Sequence, residues 1–195
     1  MAKLGFEYVA AGKLDETTGK YSEGRHLGEA ATFNVTVTAN DVKDYGDNHA
    51  CFTDTSVTGG TVSIELNDMV EELNAFLLGH TYDEETKNVI CKKDDISPYL
   101  GLGAVGISKK AAYRYIAKFY KKVQFREPND ENATQTETTT PAHTTLEGNM
   151  FVPEDNTWKE QQTFDTLAEA KKWLNGKLGI TDSTSKVEPT TGATE

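Results

Sequence analysis

Two stretches of this chain run from a strand straight into a helix, and they restrict the fold more than any other feature. Residues 60–79 read GTVSIELNDMVEELNAFLLG and residues 158–179 read WKEQQTFDTLAEAKKWLNGKLG. In the first, Val62, Ile64 and Leu66 alternate with Thr61, Ser63 and Glu65, the period of a strand buried on one face. Asp68 followed by Glu71 has the D-x-x-E spacing of a helix start, and Met69, Val70, Leu73, Phe76 and Leu77 make one apolar stripe that Gly79 closes. This predicts a helix over about residues 68–78. In the second, residues 158–164 form the strand and Thr166 with Glu169 forms a capping box. Ala170, Trp173, Leu174 and Leu178 supply the stripe of a helix over residues 167–178. Lys171, Lys172 and Lys177 suit the negative C-terminal end, and Gly179 can close it in a left-handed conformation.

The remaining order is strand-like. Residues 6–11 form a first strand, and in residues 31–38 Phe33, Val35 and Val37 alternate with Thr32, Asn34, Thr36 and Thr38. Residues 111–126 place Tyr113, Tyr115, Ala117, Phe119, Val123 and Phe125 on one parity and Arg114, Lys118, Lys122, Gln124 and Arg126 on the other. Tyr113, Ile116, Tyr120 and Val123 also fit helical spacing, but the aromatic, period-2 content favours a long strand ending before Pro128. Residues 146–152 and 158–164 are closing strands. Residues 39–59 are polar and form a long loop, residues 131–145 are polar and Thr-rich, and residues 181–195 (TDSTSKVEPTTGATE) hold too little apolar surface to bury. The expected fold is α+β, mainly β: an antiparallel β-sandwich or barrel flanked by one or two short helices. It occupies residues 1–180, followed by a flexible Ser/Thr-rich tail over residues 181–195.

Composition excludes several functions. With 31 acidic and 20 basic residues among 195, the net charge is -11, which disfavours avid binding to nucleic acid or to an anionic membrane. No stretch approaches a membrane span, and the first residues lack the apolar core of a signal peptide, so a cytoplasmic address is expected. Cys51 and Cys91 have no CxxC spacing, so neither a disulfide framework nor a zinc ribbon is indicated; His49 with Cys51 and Cys91 is a partial metal-ligand set at most. Residues 101–106 (GLGAVG) match G-x-G-x-x-G, but a strand follows where a dinucleotide site needs a helix. A Gly-rich bend or a close strand contact is the better reading. Lys109, Lys110, Arg114, Lys118, Lys121, Lys122 and Arg126, interleaved with tyrosines, read as a nucleic-acid surface, as a solvated face, or as a face complementary to acidic groups such as Glu71, Glu72, Asp83, Glu84 and Glu85 on neighbouring copies. The last two fit an acidic chain better. No nucleophile elbow, Cys/His pair or metalloprotease motif appears, so no catalytic residue and no cofactor is expected.

The ordered blocks carry a resemblance. The run Asp44-Tyr45-Gly46-Asp47-Asn48, the stretch from Thr58 to Asp68, the close Leu77-Leu78-Gly79-His80, and Tyr120-Lys121-Lys122-Val123-Gln124-Phe125 before Pro128 resemble the major tail proteins of long-tailed, siphovirus-like bacteriophages. So does the ending Leu146-Glu147-Gly148, Trp158, Phe164-Asp165-Thr166, Glu169-Ala170 and Trp173-Leu174. The likeness spans about residues 3–180 and rests on the order and spacing of these motifs together.

The resemblance implies a structural virion protein. Six copies close into a ring, and rings stack into a tail tube that conducts DNA during infection, on a flexible rather than contractile tail. It implies assembly in the bacterial host cytoplasm, residence in the virion, and as partners other copies of the chain, a tape-measure protein, a tail terminator and a distal tail initiator. DNA transits without specific binding. A closed ring requires a head-to-tail interface and a tube requires an axial one. Exposed strand edges suit the first. For ring stacking the candidates are Asp44, Tyr45, Asp47, Asn48, Phe52 and Asp54 of the long loop; for charge contacts between subunits they are Lys118, Lys122, Arg126, Glu71 and Glu72. The alternative is a monomeric β-sandwich module that binds carbohydrate or protein.

Overall fold

A computed structural model of the chain describes residues 2–46, 49–109, 112–129 and 143–181, and among these the side chains of residues 2–4 and 44–52 are left aside. The protein is mainly β with two short helices. Its elements are β1 (Ala2–Asp15), β2 (Lys20–His26), β3 (Ala30–Ala39), β4 (Val42–Gly46), β5 (His49–Asp54), β6 (Val57–Leu66), α1 (Glu71–Leu78), β7 (Thr81–Asp83), β8 (Asn88–Ile90), β9 (Leu100–Lys109), β10 (Tyr113–Phe125), β11 (Thr144–Phe151), β12 (Lys159–Phe164) and α2 (Leu167–Leu178). An eight-stranded sheet runs β2-β1-β9-β10-β11-β6-β3, with β12 added beside β10. Among the described residues β4 pairs only β5, and β7 only β8, in two separate ribbons. Every pairing described is antiparallel.

The period of two along each strand puts adjacent residues on opposite faces, and both faces are covered. Val9 and Ala11 of β1, Leu102 and Ala104 of β9, and Ile64 and Leu66 of β6 join Leu73, Phe76, Leu77 and Leu78 of α1 in the larger core. Ala10, between Val9 and Ala11, faces the other way. With Val105, Ala117 and Phe119 it meets Ala170, Leu174 and Leu178 of α2 in a second core. The sheet curls, because Phe33 near one end of the strand path lies 6.2 Å from Phe6 and 6.1 Å from Tyr120.

The GLGAVG motif lies entirely within β9, extended and buried up to Val105, with Gly106 half-buried. Of the two readings offered by the sequence, the close contact is the one found. Leu102 and Ala104 face the larger core, whereas Gly101 and Gly103 face the α2 side. A Cβ on Gly101 would sit 2.6 Å from the Tyr21 ring and 2.9 Å from the Phe119 ring, and one on Gly103 would overlap Leu174. Gly103 lets the helix approach the sheet, and Gly101 leaves room for the Tyr21 and Phe119 rings.

β10 is a strand, as its aromatic alternation predicts, but its parity breaks. Ala117 and Phe119 face the α2 core, while Tyr120, Val123 and Phe125 face the larger one. The register with β9 shifts between Tyr120 and Val123, and such a bulge turns later side chains to the opposite face. At the same point β10 changes partner: Tyr115 to Tyr120 pair with β12, and Val123 to Phe125 with β11.

Two helix starts behave differently. Thr166 is the N-cap of α2, and its side chain accepts a hydrogen bond from the Glu169 amide, the first half of the expected capping box. The Asp68–Glu71 start does not form. The N-cap of α1 is Val70, without a side-chain cap, and Val70 itself is 37% exposed. The Asn67 amide donates to the Glu29 carbonyl at 2.9 Å, which ties the residue before Asp68 to the chain just ahead of β3. Gly79 and Gly179 close the helices with φ of 81° and 67°.

Candidate assembly interface

Residues 39–59 are not an irregular loop. β3 and β6 pair from Ala30↔Leu66 to Ala39↔Val57, and β4 and β5 continue the same antiparallel hairpin from Val42↔Asp54 to Gly46↔His49. The result is one long arm whose outer ribbon leaves the sheet. Asp and Asn signal turns, and here they serve the junction between the two parts. The Asn40 amide donates to the Ser56 carbonyl at 2.8 Å, and the Asn40 side-chain amide donates to Asp54 at 3.1 Å and to the Ser56 hydroxyl at 3.2 Å. The Ser56 amide donates to Asp54 at 2.9 Å, and the Thr58 hydroxyl to the Thr38 carbonyl at 3.2 Å. The Ser56 and Asn40 donors hold the Asp54 carboxyl below its ordinary range. Beside this junction Val37 and Val42 are exposed.

Of the residues expected on the ring-stacking loop, Asp44 and Tyr45 lie on β4, and Phe52 and Asp54 on β5, with Asp44 opposite Phe52. Asp54 accepts from Asn40 and Ser56 and closes the junction. Asp47 and Asn48 lie outside the described residues.

The basic set on β10 is engaged within the chain. Arg114 pairs with Asp165, and Lys122 with Glu16 while its ammonium lies 3.9 Å from the centre of the Tyr99 ring. Lys121 reaches Asp155 at 2.5 Å and Glu160 at 3.8 Å. Lys118 is half-buried and also has a partner. Arg126 is exposed and reaches Asn149 at 3.5 Å. Glu72 pairs with Arg25, and Glu71 is exposed. Lys122 and Glu72, expected as contacts between subunits, are thus already in ion pairs within the protomer, Glu72 from an exposed position; Arg126 and Glu71 are exposed as well. Tyr21 beside this stripe is structural: its hydroxyl donates to the Lys121 carbonyl at 2.8 Å, and burial, then Asp155 and Glu160, push its phenol up to about 12.

Two open grooves, of about 650 and 860 Å³, flank α2. The first is lined by Arg114, Asp165, Glu169 and Trp173, the second by Glu16, Lys121, Lys122 and Glu160. Their charged groups include the Arg114–Asp165, Lys122–Glu16 and Lys121–Glu160 ion pairs just described.

One cluster went unread in the sequence. The side chains of His49 and Cys51 lie outside the described residues, so the partial set they were expected to form with Cys91 falls outside them too. Among the described residues Cys91 stands with His80 and Glu127, whose ligand atoms and the Cys91 Sγ all lie within 4.8 Å of one another. β7 and β8 bring this about: Thr81 pairs with Ile90, so the residues just outside that rung, His80 and Cys91, are neighbours. The hairpin signal was present in Asp83, whose carboxylate accepts from the Glu85 amide at 3.0 Å and the Thr86 hydroxyl at 2.7 Å. Glu127 comes from the end of β10. No protein-family model matches the chain, and no curated protein is detectably similar to it.

Proposed function

We propose that this chain is a self-assembling structural protein of the tail-tube type, a β-sandwich that closes into rings, six-membered on the family pattern, and stacks them into a tube that conducts phage DNA. The observation that carries the reading is the arm formed by β3 to β6. A ribbon that pairs, among the described strands, with nothing but itself, fixed at its root by the Asn40–Asp54–Ser56 lock and flanked by exposed Val37 and Val42, has the form of an element that reaches a neighbouring molecule. Strand order supports the lateral contact, since β2 and β3 end the described sheet and offer edge backbone groups to an adjacent copy. The intrachain pairing of the β10 cations supports a lumen that lets DNA pass without gripping it, because paired cations release few counterions on contact with phosphate. The proposed partners follow: other copies of the chain, a tape-measure protein, a terminator and an initiator, in the virion after assembly in the host cytoplasm. The proposed role is not enzymatic.

The test is assembly of the purified protein, alone and with the initiator complex, followed by analytical ultracentrifugation and negative-stain electron microscopy. Rings or tubes are the expected result. Persistent monomer at high concentration in the presence of initiator would overturn the reading and favour a monomeric binding module.

A further inference from the structure

The His80 cluster has the parts of a metal centre, and nothing in the assembly reading uses it. The His80 side chain is only 7% exposed. Its Nδ1 is held 2.9 Å from Asp95 Oδ2, and that carboxylate is itself fixed by the Lys92 amide at 2.8 Å. Its Nε2 faces Glu127 Oε2 at 2.9 Å. A carboxylate on one ring nitrogen of a buried histidine sets the ring's orientation and raises the basicity of the other nitrogen, the usual outer partner of a metal-bound imidazole. Cys91 completes the group: its Sγ, a His80 ring nitrogen and a Glu127 oxygen all lie within 4.8 Å of one another.

We propose that His80 Nε2, Cys91 Sγ and a Glu127 oxygen bind a zinc ion, with Asp95 as the outer partner of His80. Ligands at roughly 2.0–2.3 Å from a tetrahedral metal stand roughly 3.3–3.8 Å apart, a modest contraction of the 4.8 Å span found here. A mixed nitrogen, sulfur and oxygen set suits zinc and disfavours the hard cations magnesium and calcium. The ion takes the place of the proton between Nε2 and Glu127, and the Cys91 thiol gives up its proton on binding. Three protein ligands leave the fourth position to water. The site also lies just past the C-terminal end of α1, whose last turn has no basic residue, so the helix's negative end favours a cation there. The ion joins segments 47 residues apart, the end of α1 and the end of β10, and so acts as a clip.

The test uses the full-length protein under reducing conditions, with Cys51→Ser as the background so that Cys91 is the sole thiol. Cobalt(II) titration should give a thiolate charge-transfer band and tetrahedral d–d bands saturating at one ion per chain, and zinc should displace them. Zinc competition should then show affinity falling at least about tenfold in Glu127→Gln and about 10–100-fold in Asp95→Asn. Cys91→Ser should abolish the charge-transfer band. Cys91 and Glu127 are exposed, so these two variants should fold even if changes at His80 do not. Absence of the band in the Cys51→Ser protein at saturating cobalt would overturn the proposal, as would unchanged zinc affinity in the Glu127 and Asp95 variants. The outcome does not depend on assembly, and a failure to form tubes leaves it standing.

Discussion

Leu174 fills the space that Gly103 leaves, so the two residues should respond oppositely to a change of size. Leu174→Ala removes a fully buried side chain from the smaller core and should cost about 2–5 kcal/mol. Gly103→Ala puts a methyl group where Leu174 already sits and should cost about 1–3 kcal/mol. If a cavity is the counterpart of that overlap, the double variant should be more stable than the sum of the single losses predicts, as urea denaturation would show. Thr166→Ala, which leaves the Glu169 amide without its acceptor, should cost about 1 kcal/mol. His26 gives the acid response. Its ring stacks on Tyr8 at 4.7 Å, and burial, with Lys171 nearby, lowers its pKa below the ordinary 6.5. The unfolded chain therefore binds the proton first. Stability is unaffected above about pH 6.5 and falls as pH drops through and below that value. His26→Gln should reduce this acid-side loss, measured as the difference in urea midpoint between about pH 7.5 and about pH 5.

At the scale of elements, legibility followed the source of each segment's burial. β6, β10 and α2 carry their apolar residues at the period of their own structure, and the sequence reading placed all three. β2, with the sequence KYSEGRH, buries Gly24 alone, so its strand state comes from pairing with β1 and is invisible locally. The β4–β5 ribbon was missed for the same reason: its backbone bonds are met by its own partner strand, which needs no apolar alternation. The face switch in β10 depends on a bulge against β9, a property of two strands rather than one. The metal cluster was unreadable because its ligands meet only through the β7–β8 rung and the end of β10. The arm yields the element-scale prediction. Deleting residues 44–56 should leave the circular dichroism spectrum and the main sheet intact, because the ribbon pairs with no other described strand, yet should stop rings from stacking if the arm is the axial contact. Loss of the fold on deletion would show that the ribbon supports the sheet.

At the scale of the whole molecule, the packed body closes at Ile180. Its amide donates to the Asn175 carbonyl at 3.0 Å and its side chain packs on the smaller core. The tail expected over residues 181–195 lies beyond the described residues except for Thr181. A chain truncated after Ile180 should keep its thermal midpoint and still assemble, as scanning calorimetry and electron microscopy would report. Failure to polymerise with the fold intact would make the tail part of the axial contact. The strand order sets a further property, one of time. β1 finds its inner neighbour only in β9, with Ala2 opposite Lys109 and Lys13 opposite Leu100. Contacts of such long sequence separation place refolding in the range of milliseconds to seconds. During synthesis at about 5–20 residues per second, β1 waits on the order of 5–20 s for β9 to emerge. Throughout that interval one side of β1 is an unclaimed template, and the competitor for it is the same strand on the next ribosome of the message.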